Sequence, residues 1–113
     1  MIIEYVIVKK EEQTGRATIS PAALERMAHV LKLLAHPHRL RLIEILERTG
    51  GAPVHALVAR LRLPQGATSQ HLNQMRRVGL VVAERRGREV WYRIGDRRAL
   101  TILNCIRQKG SHP

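Results

Sequence analysis

Two consecutive stretches, Ala67-Thr-Ser-Gln-His-Leu-Asn-Gln-Met-Arg-Arg-Val-Gly-Leu80 and Val81-Val-Ala-Glu-Arg-Arg-Gly-Arg-Glu-Val-Trp-Tyr-Arg-Ile94, decide the fold. In the first, Leu72, Met75 and Val78 recur at helical spacing and turn inward. Thr68, Ser69, Gln70, Asn73, Gln74 and Arg77 make up the other side, and Gly79 stops the helix, which covers about 65 to 78. The second stretch is β-rich and bends at Arg86-Gly87-Arg88. A helix that opens with short hydrogen-bonding side chains can enter a DNA major groove, and a cationic hairpin tip beside it can grip the neighbouring backbone. A two-residue loop at Arg86-Gly87 sets Arg85 across from Arg88 and Glu84 across from Glu89, both like-charge pairs. A three-residue loop sets Arg85 across from Glu89, and is favoured on that ground.

Upstream of this core, the punctuation marks three more helices. Ser20-Pro21 reads as a cap followed by a proline in the first helical position, opening a helix over about 21 to 34 with Leu24, Met27, Ala28, Leu31 and Leu34 on one face. His36-Pro37 ends it and starts a second helix that runs to about Arg48, apolar at Leu40, Leu42, Ile43, Ile45 and Leu46. Gly50-Gly51 closes that one. A third helix opens at Pro53 and presents Val54, Leu57, Val58 and Leu61 before the break Arg62-Leu63-Pro64. Downstream, Asp96 can cap a last helix over about 97 to 109, with Leu100, Leu103 and Ile106 on its apolar face. Residues 1–8 are β-branched enough for a strand or an extended arm, 9–19 form a polar linker, 20–109 form the domain and 110–113 form a tail.

A length of 113 residues suits one compact domain with a modest core. The net charge of +11 and a pI near 11.4 point to a polyanionic partner. The excess falls on Arg60, Arg62, Arg76, Arg77, Arg85, Arg86, Arg88, Arg93, Arg97 and Arg98, opposed in that span by Glu84, Glu89 and Asp96. Membrane binding fits poorly: the chain has no Phe, its aromatics are Tyr5, Trp91 and Tyr92, and no apolar run reaches the roughly 20 residues needed to span a bilayer. Met1 to Val8 is short, carries Glu4 and has its lysines after the apolar stretch, unlike a secretory signal; a cytosolic protein is expected. Cys105 is the single cysteine, so no intrachain disulfide can form. Paired carboxylates, a nucleophile elbow, a phosphate loop and metal-ligand spacing are all missing, which argues against an enzyme and gives no reason to expect a cofactor.

Two short helices joined by a tight break, the second polar outward and followed by a hairpin, describe a winged helix-turn-helix: five helices with a two-stranded wing. Read in order, Leu33-Leu-Ala-His36-Pro-His-Arg-Leu-Arg-Leu-Ile43, Ser69-Gln-His71-Leu72, Val78-Gly-Leu-Val81 and Arg86-Gly-Arg-Glu-Val-Trp-Tyr-Arg93 resemble the ArsR/SmtB family of bacterial repressors over roughly residues 22 to 108. The resemblance implies a transcriptional repressor that is a homodimer through its first and last helices and binds an inverted repeat in double-stranded DNA. By position, Thr68, Ser69, Gln70, His71 and Gln74 are candidates for base and phosphate contacts. Arg77, Arg85, Arg86 and Arg88 are candidates for phosphate or minor-groove contacts. His71 has a second role open to it, bracing the helix, and Ser69 can equally be an ordinary surface serine. Arg76 sits nearer the inward face. Pro64 and Gly66 depart from the polar cap often found at the start of this helix, which leaves its first residue open.

The family's sensing sites are poorly matched. The stretch Pro53-Val-His55-Ala-Leu57-Val58 lacks the cysteine pair of the arsenic and cadmium sensors. For a zinc site on the last helix, Asp96 matches, but Arg98 and Lys109 stand where histidines are wanted. No metal site is therefore expected, although His29, His36, His38, His55 and His112 leave another arrangement open, and the effector is unspecified. Cys105, on an apolar helix, is expected to be a small buried hydrophobe. Two other classes compete: a nucleoid-type protein that coats DNA without reading it, and a winged-helix protein-interaction module. The first needs the charge without the polar helix face, and the second has little use for an arginine-rich wing.

Overall fold

The computed structural model describes residues 17–110, with side chains through residue 108. The expected arm over residues 1–8, most of the linker and the tail beyond residue 110 lie outside the described residues. Within them the order is α1 (Pro21–Leu34), α2 (Pro37–Thr49), β1 (Ala52–Pro53), α3 (Val54–Leu61), α4 (Gln65–Arg77), β2 (Val81–Arg86), β3 (Glu89–Ile94) and α5 (Arg98–Gly110).

The boundaries follow local chemistry. Ser20 Oγ accepts from the Ala23 amide at 3.2 Å, and Pro21 fills the first helical position, where an N–H has no partner to lose. His36 is extended at φ −151° and caps α2 by accepting the His38 amide on Nδ1 at 3.2 Å. The turn from α3 to α4 depends on Arg62, held in the left-handed region at φ 58° with its N–H on the Val58 carbonyl at 2.9 Å. A non-glycine residue there costs on the order of 1 kcal/mol, which the packing on either side must offset. α4 starts at Gln65 without a side-chain cap, and the Thr68 amide closes its first turn on the Pro64 carbonyl at 3.0 Å.

The sheet has one strand more than the sequence suggests. Its order is β1-β3-β2, all antiparallel, with Ala52 opposite Tyr92 and Pro53 opposite Trp91. Two residues, one of them proline, carry no alternation that could announce β1. It joins the middle of β3 to the helices and leaves the outer end of the hairpin as a wing.

The hairpin register also differs from both expected ones. Arg86 stands opposite Glu89, Arg85 opposite Val90 and Glu84 opposite Trp91, so the loop is the two residues Gly87-Arg88. Gly87 at φ 63° takes the first loop position, where a left-handed conformation suits a tight hairpin. This register pairs opposite charges next to the turn, as the three-residue loop would have done, but between Arg86 and Glu89 and not between Arg85 and Glu89.

The core gathers α2 (Leu42, Ile43, Ile45, Leu46), Leu57 of α3, Leu72 and Met75 of α4, Leu80 and Val81, Tyr92, and Ala99 and Leu103 of α5. Burying one such leucine contributes about 1.5–3 kcal/mol. Where the chain leaves the hairpin it crosses the end of α4: the Gly95 amide donates to the Leu80 carbonyl at 2.8 Å, and a Cβ at Gly95 would lie 2.6 Å from the Gly79 oxygen. The stripes of the outer helices divide. Val30, Leu34 and Leu103 are buried, while Leu24, Leu31 and Ile106 stay 52%, 47% and 49% exposed. Cys105 is exposed and not the buried hydrophobe expected, because it lies outside the row that carries Leu103. No described helix is long and apolar enough to cross a membrane.

Candidate nucleic-acid interface

α4 presents its side chains in three rows set by the helical repeat. Thr68, Leu72 and Met75 are buried, with Thr68 and Met75 at 0% exposure. Thr68 therefore leaves the set of candidate contacts: it stands four residues before Leu72 and seven before Met75, so the 3.6-residue repeat turns it into the core. Its Oγ1 is buried with no hydrogen-bond partner. Gln65, Ser69 and Asn73 form a second row, facing the hairpin. Gln70, Gln74 and Arg77 form the third, with Gln70 and Arg77 exposed and Gln74 half-buried. Arg76 is also exposed, away from the inward face assigned to it.

His71 is half-buried and fastened to α2. Its Nδ1 accepts a hydrogen bond from Arg39 Nε at 3.0 Å, and Arg39 Nη1 reaches the Leu33 carbonyl at 3.1 Å. The His71 ring meets His36 edge-on at 4.5 Å between centroids and lies 5.9 Å from His38. Because an arginine can only donate, the neutral ring carries its proton on Nε2. Burial holds its pKa below the ordinary histidine value, and the nearby His36, Arg39 and His38 add to the depression.

On the wing, the register separates the arginines. Arg85 shares a face with Val90 and Tyr92, whereas Arg86 shares the opposite face with Glu84 and Trp91. The Arg86 guanidinium lies 4.5 Å over the Trp91 ring and 3.4 Å from Glu84 Oε2, so its direction is fixed by stacking. Arg85 Nε donates to the Gly87 carbonyl at 3.3 Å. Between wing and α4 lies a cleft of about 380 Å³, lined by Gln65, Ser69 and Asn73 on one side and Arg88, Glu89 and Val90 on the other. His55 Nε2 and Glu89 Oε2 meet at 2.6 Å at this cleft. Arg60, Arg62, Arg76, Arg77, Arg85, Arg86, Arg88, Arg93, Arg97 and Arg98 are all exposed.

A helix-turn-helix domain profile matches residues 34–84. The transcriptional repressor PagR of Bacillus anthracis is 35% identical over 85 residues, 74% of this chain and 84% of that protein. Its crystal structure superposes with a TM-score of 0.71, covering 77% of this chain and 99% of that one at 32% identity. The chain belongs to the ArsR/SmtB family.

Among its ArsR/SmtB relatives, the repressor SmtB of Mycobacterium tuberculosis is 38% identical over 88 residues, 77% of this chain. The match spans 64% of that protein's length. The antimony-specific transcriptional repressor AntR superposes with a TM-score of 0.76 at 30% identity, over 87% of this chain and 91% of that one. At the family's last-helix position, Asp96 is taken up by its neighbour: Arg98 Nε lies 2.9 Å and Arg98 Nη2 2.6 Å from Oδ2, and the Arg98 amide donates to Oδ1 at 2.9 Å. The arginine hydrogen bond holds the Asp96 carboxyl below its usual range. No group of three or more His, Cys, Asp or Glu among the described residues is arranged to hold a metal.

Two features of this ArsR/SmtB site escape sequence reading. The Arg39–His71 brace and the His55–Glu89 pair join residues more than thirty positions apart, which no local pattern can report. The inward turn of Thr68 was within reach, through its spacing from Leu72.

Proposed function

We propose that this ArsR/SmtB protein is a sequence-specific DNA-binding transcriptional regulator, acting as a repressor, that binds an inverted-repeat operator as a homodimer. The observation that carries this reading is the polar face of α4 beside an arginine-tipped wing, with one cleft between them. Ser69, Gln70 and Gln74 supply base and phosphate contacts, and Asn73 joins them from its place on the cleft wall. Arg77, Arg85, Arg86 and Arg88 hold phosphates or reach into a minor groove. His71 serves as the brace that holds α4 in register.

The dimer is supported by Leu24 and Leu31 on α1 and Ile106 on α5, exposed apolar side chains on two helices that both pack against α2. Two-fold pairing through these helices would set the two α4 helices about 34 Å apart, one turn of duplex.

The test is binding to a duplex selected from a random pool against an unselected duplex, across a salt series. A specific reader favours its site by 10³ or more, so affinities within about threefold of each other at every salt concentration would refute the reading and favour a nonspecific DNA-coating protein.

A further inference from the structure

Glu89 is a carboxylate on the surface that the proposed reading gives to DNA, where a bare negative charge opposes a phosphate. It opens β3 directly after the Gly87-Arg88 loop, and its Oε2 lies 2.6 Å from Nε2 of His55, in the first turn of α3. The hairpin is held by β1, which pairs with Trp91 and Tyr92 midway along β3, by the buried Val81 and Tyr92, and by Val90 packed against the core. From Glu84 to Glu89 every residue is exposed. The His55–Glu89 pair thus ties the outer end of the wing back to the helix-turn-helix, beside the cleft that Ser69 and Asn73 share with Arg88.

We infer that His55 and Glu89 are positioning residues for DNA binding: their contact sets the separation of wing tip and α4, so that Arg88 and the Ser69–Asn73 row meet one duplex together. The pair also covers the charge of Glu89, which would otherwise face the phosphates. This rests on the reading of α4 and the wing as the DNA interface. The side chains are 73% and 47% exposed, and exposed pairs add little to fold stability. The effect therefore belongs in recognition, where a fixed geometry spares the wing the entropy of being ordered on binding.

The experiment compares the wild type with His55→Ala, Glu89→Ala, the double variant, and the exchanged pair His55→Glu with Glu89→His. Each is measured for affinity to the selected and to a random duplex at one salt concentration, and for its thermal midpoint. The selected-to-random ratio should fall about threefold per wing for either single variant, and so about tenfold for a two-winged dimer. The double variant should lose no more than the singles, because both remove one contact. The exchanged pair should recover most of the loss, with midpoints unchanged throughout.

Single effects that multiply in the double variant overturn the inference. So does Glu89→Ala strengthening both duplexes by one factor, which would make Glu89 only a repelling charge. A midpoint that falls along with the ratio overturns it too, because the contact would then be structural. A wild type with no preference for the selected duplex is a separate outcome that removes the DNA-reading assignment itself, and the inference with it.

Discussion

Arg39 on α2 donates through Nε to Nδ1 of His71 on α4 at 3.0 Å, a bond between residues 32 positions apart. It fastens the candidate reading helix to the central helix of the core, and it requires the His71 ring to be neutral at Nδ1. A second proton would turn the acceptor into a donor facing a guanidinium, with His36 and His38 also beside it.

Stability should therefore fall in mild acid. The folded pKa of His71 is depressed below 6.5, so between that value and the folded one the unfolded chain binds a proton that the folded chain does not. The contribution is complete above the unfolded value and is lost as pH falls through the folded one. Thermal midpoints should drop as pH falls below about 6.5 in the wild type, and less so in His71→Asn, whose amide oxygen can accept from Arg39 without titrating. Glu47 and Asp96, held low by Arg107 and Arg98, release their contributions only below the ordinary carboxylate range and do not enter this window. Equal acid sensitivity in the two proteins would remove His71 as the cause.

Thr68 gives a second test, because its hydroxyl is buried without a partner. Thr68→Val should raise stability by about 1 kcal/mol, read as a higher urea midpoint at unchanged slope. Affinity for DNA should not change. A drop in affinity without loss of stability would return Thr68 to the interface.

The helices were legible from punctuation: Ser20-Pro21, His36-Pro37 and Gly79 each sit at a boundary the structure confirms, because proline and glycine act on the backbone locally. The outward polar face of α4 was legible except at Thr68, where residue type suggested a surface position and the spacing to Leu72 pointed to the core. Strand β1 and the hairpin register were not legible, since both depend on pairing across the sheet. Opposite charges do face each other beside the turn, but the pair is Arg86 with Glu89, and Arg85 faces Val90. The Arg39–His71 brace has no local trace at all.

The division of labour between helix and wing predicts two different losses. Arg86→Ala should weaken binding to all duplexes alike and reduce the slope of log affinity against log salt by about 1 per wing, as loss of a phosphate contact does. Gln70→Ala should change which sequence is preferred and leave the slope nearly intact. Matching effects of both substitutions on selected and random duplexes would contradict the division.

Gly95 is required by the crossing of the chain over the end of α4. A Cβ there would meet the Gly79 carbonyl at 2.6 Å and Val82 Cγ1 at 3.0 Å, neither of which can withdraw without moving the join between α4 and the hairpin. Gly95→Ala should cost about 1–3 kcal/mol in urea unfolding. A variant as stable as the wild type would mean the join yields freely.

The proposed dimer rests on apolar side chains left uncovered on α1 and α5. Leu24 and Leu31 are seven residues apart and so share one face of α1, each about half exposed. A charge at the centre of such a face must be desolvated for the helices to pair, whereas in a monomer it stays in water. Leu31→Glu should therefore give a monomer by sedimentation at micromolar concentration, with the far-ultraviolet helix signal retained. Affinity for an inverted repeat should fall to that of a single half-site, because the second α4 is no longer delivered at a fixed spacing. A wild type that is already a monomer would refute the pairing, and a Leu31→Glu dimer would move it to another surface.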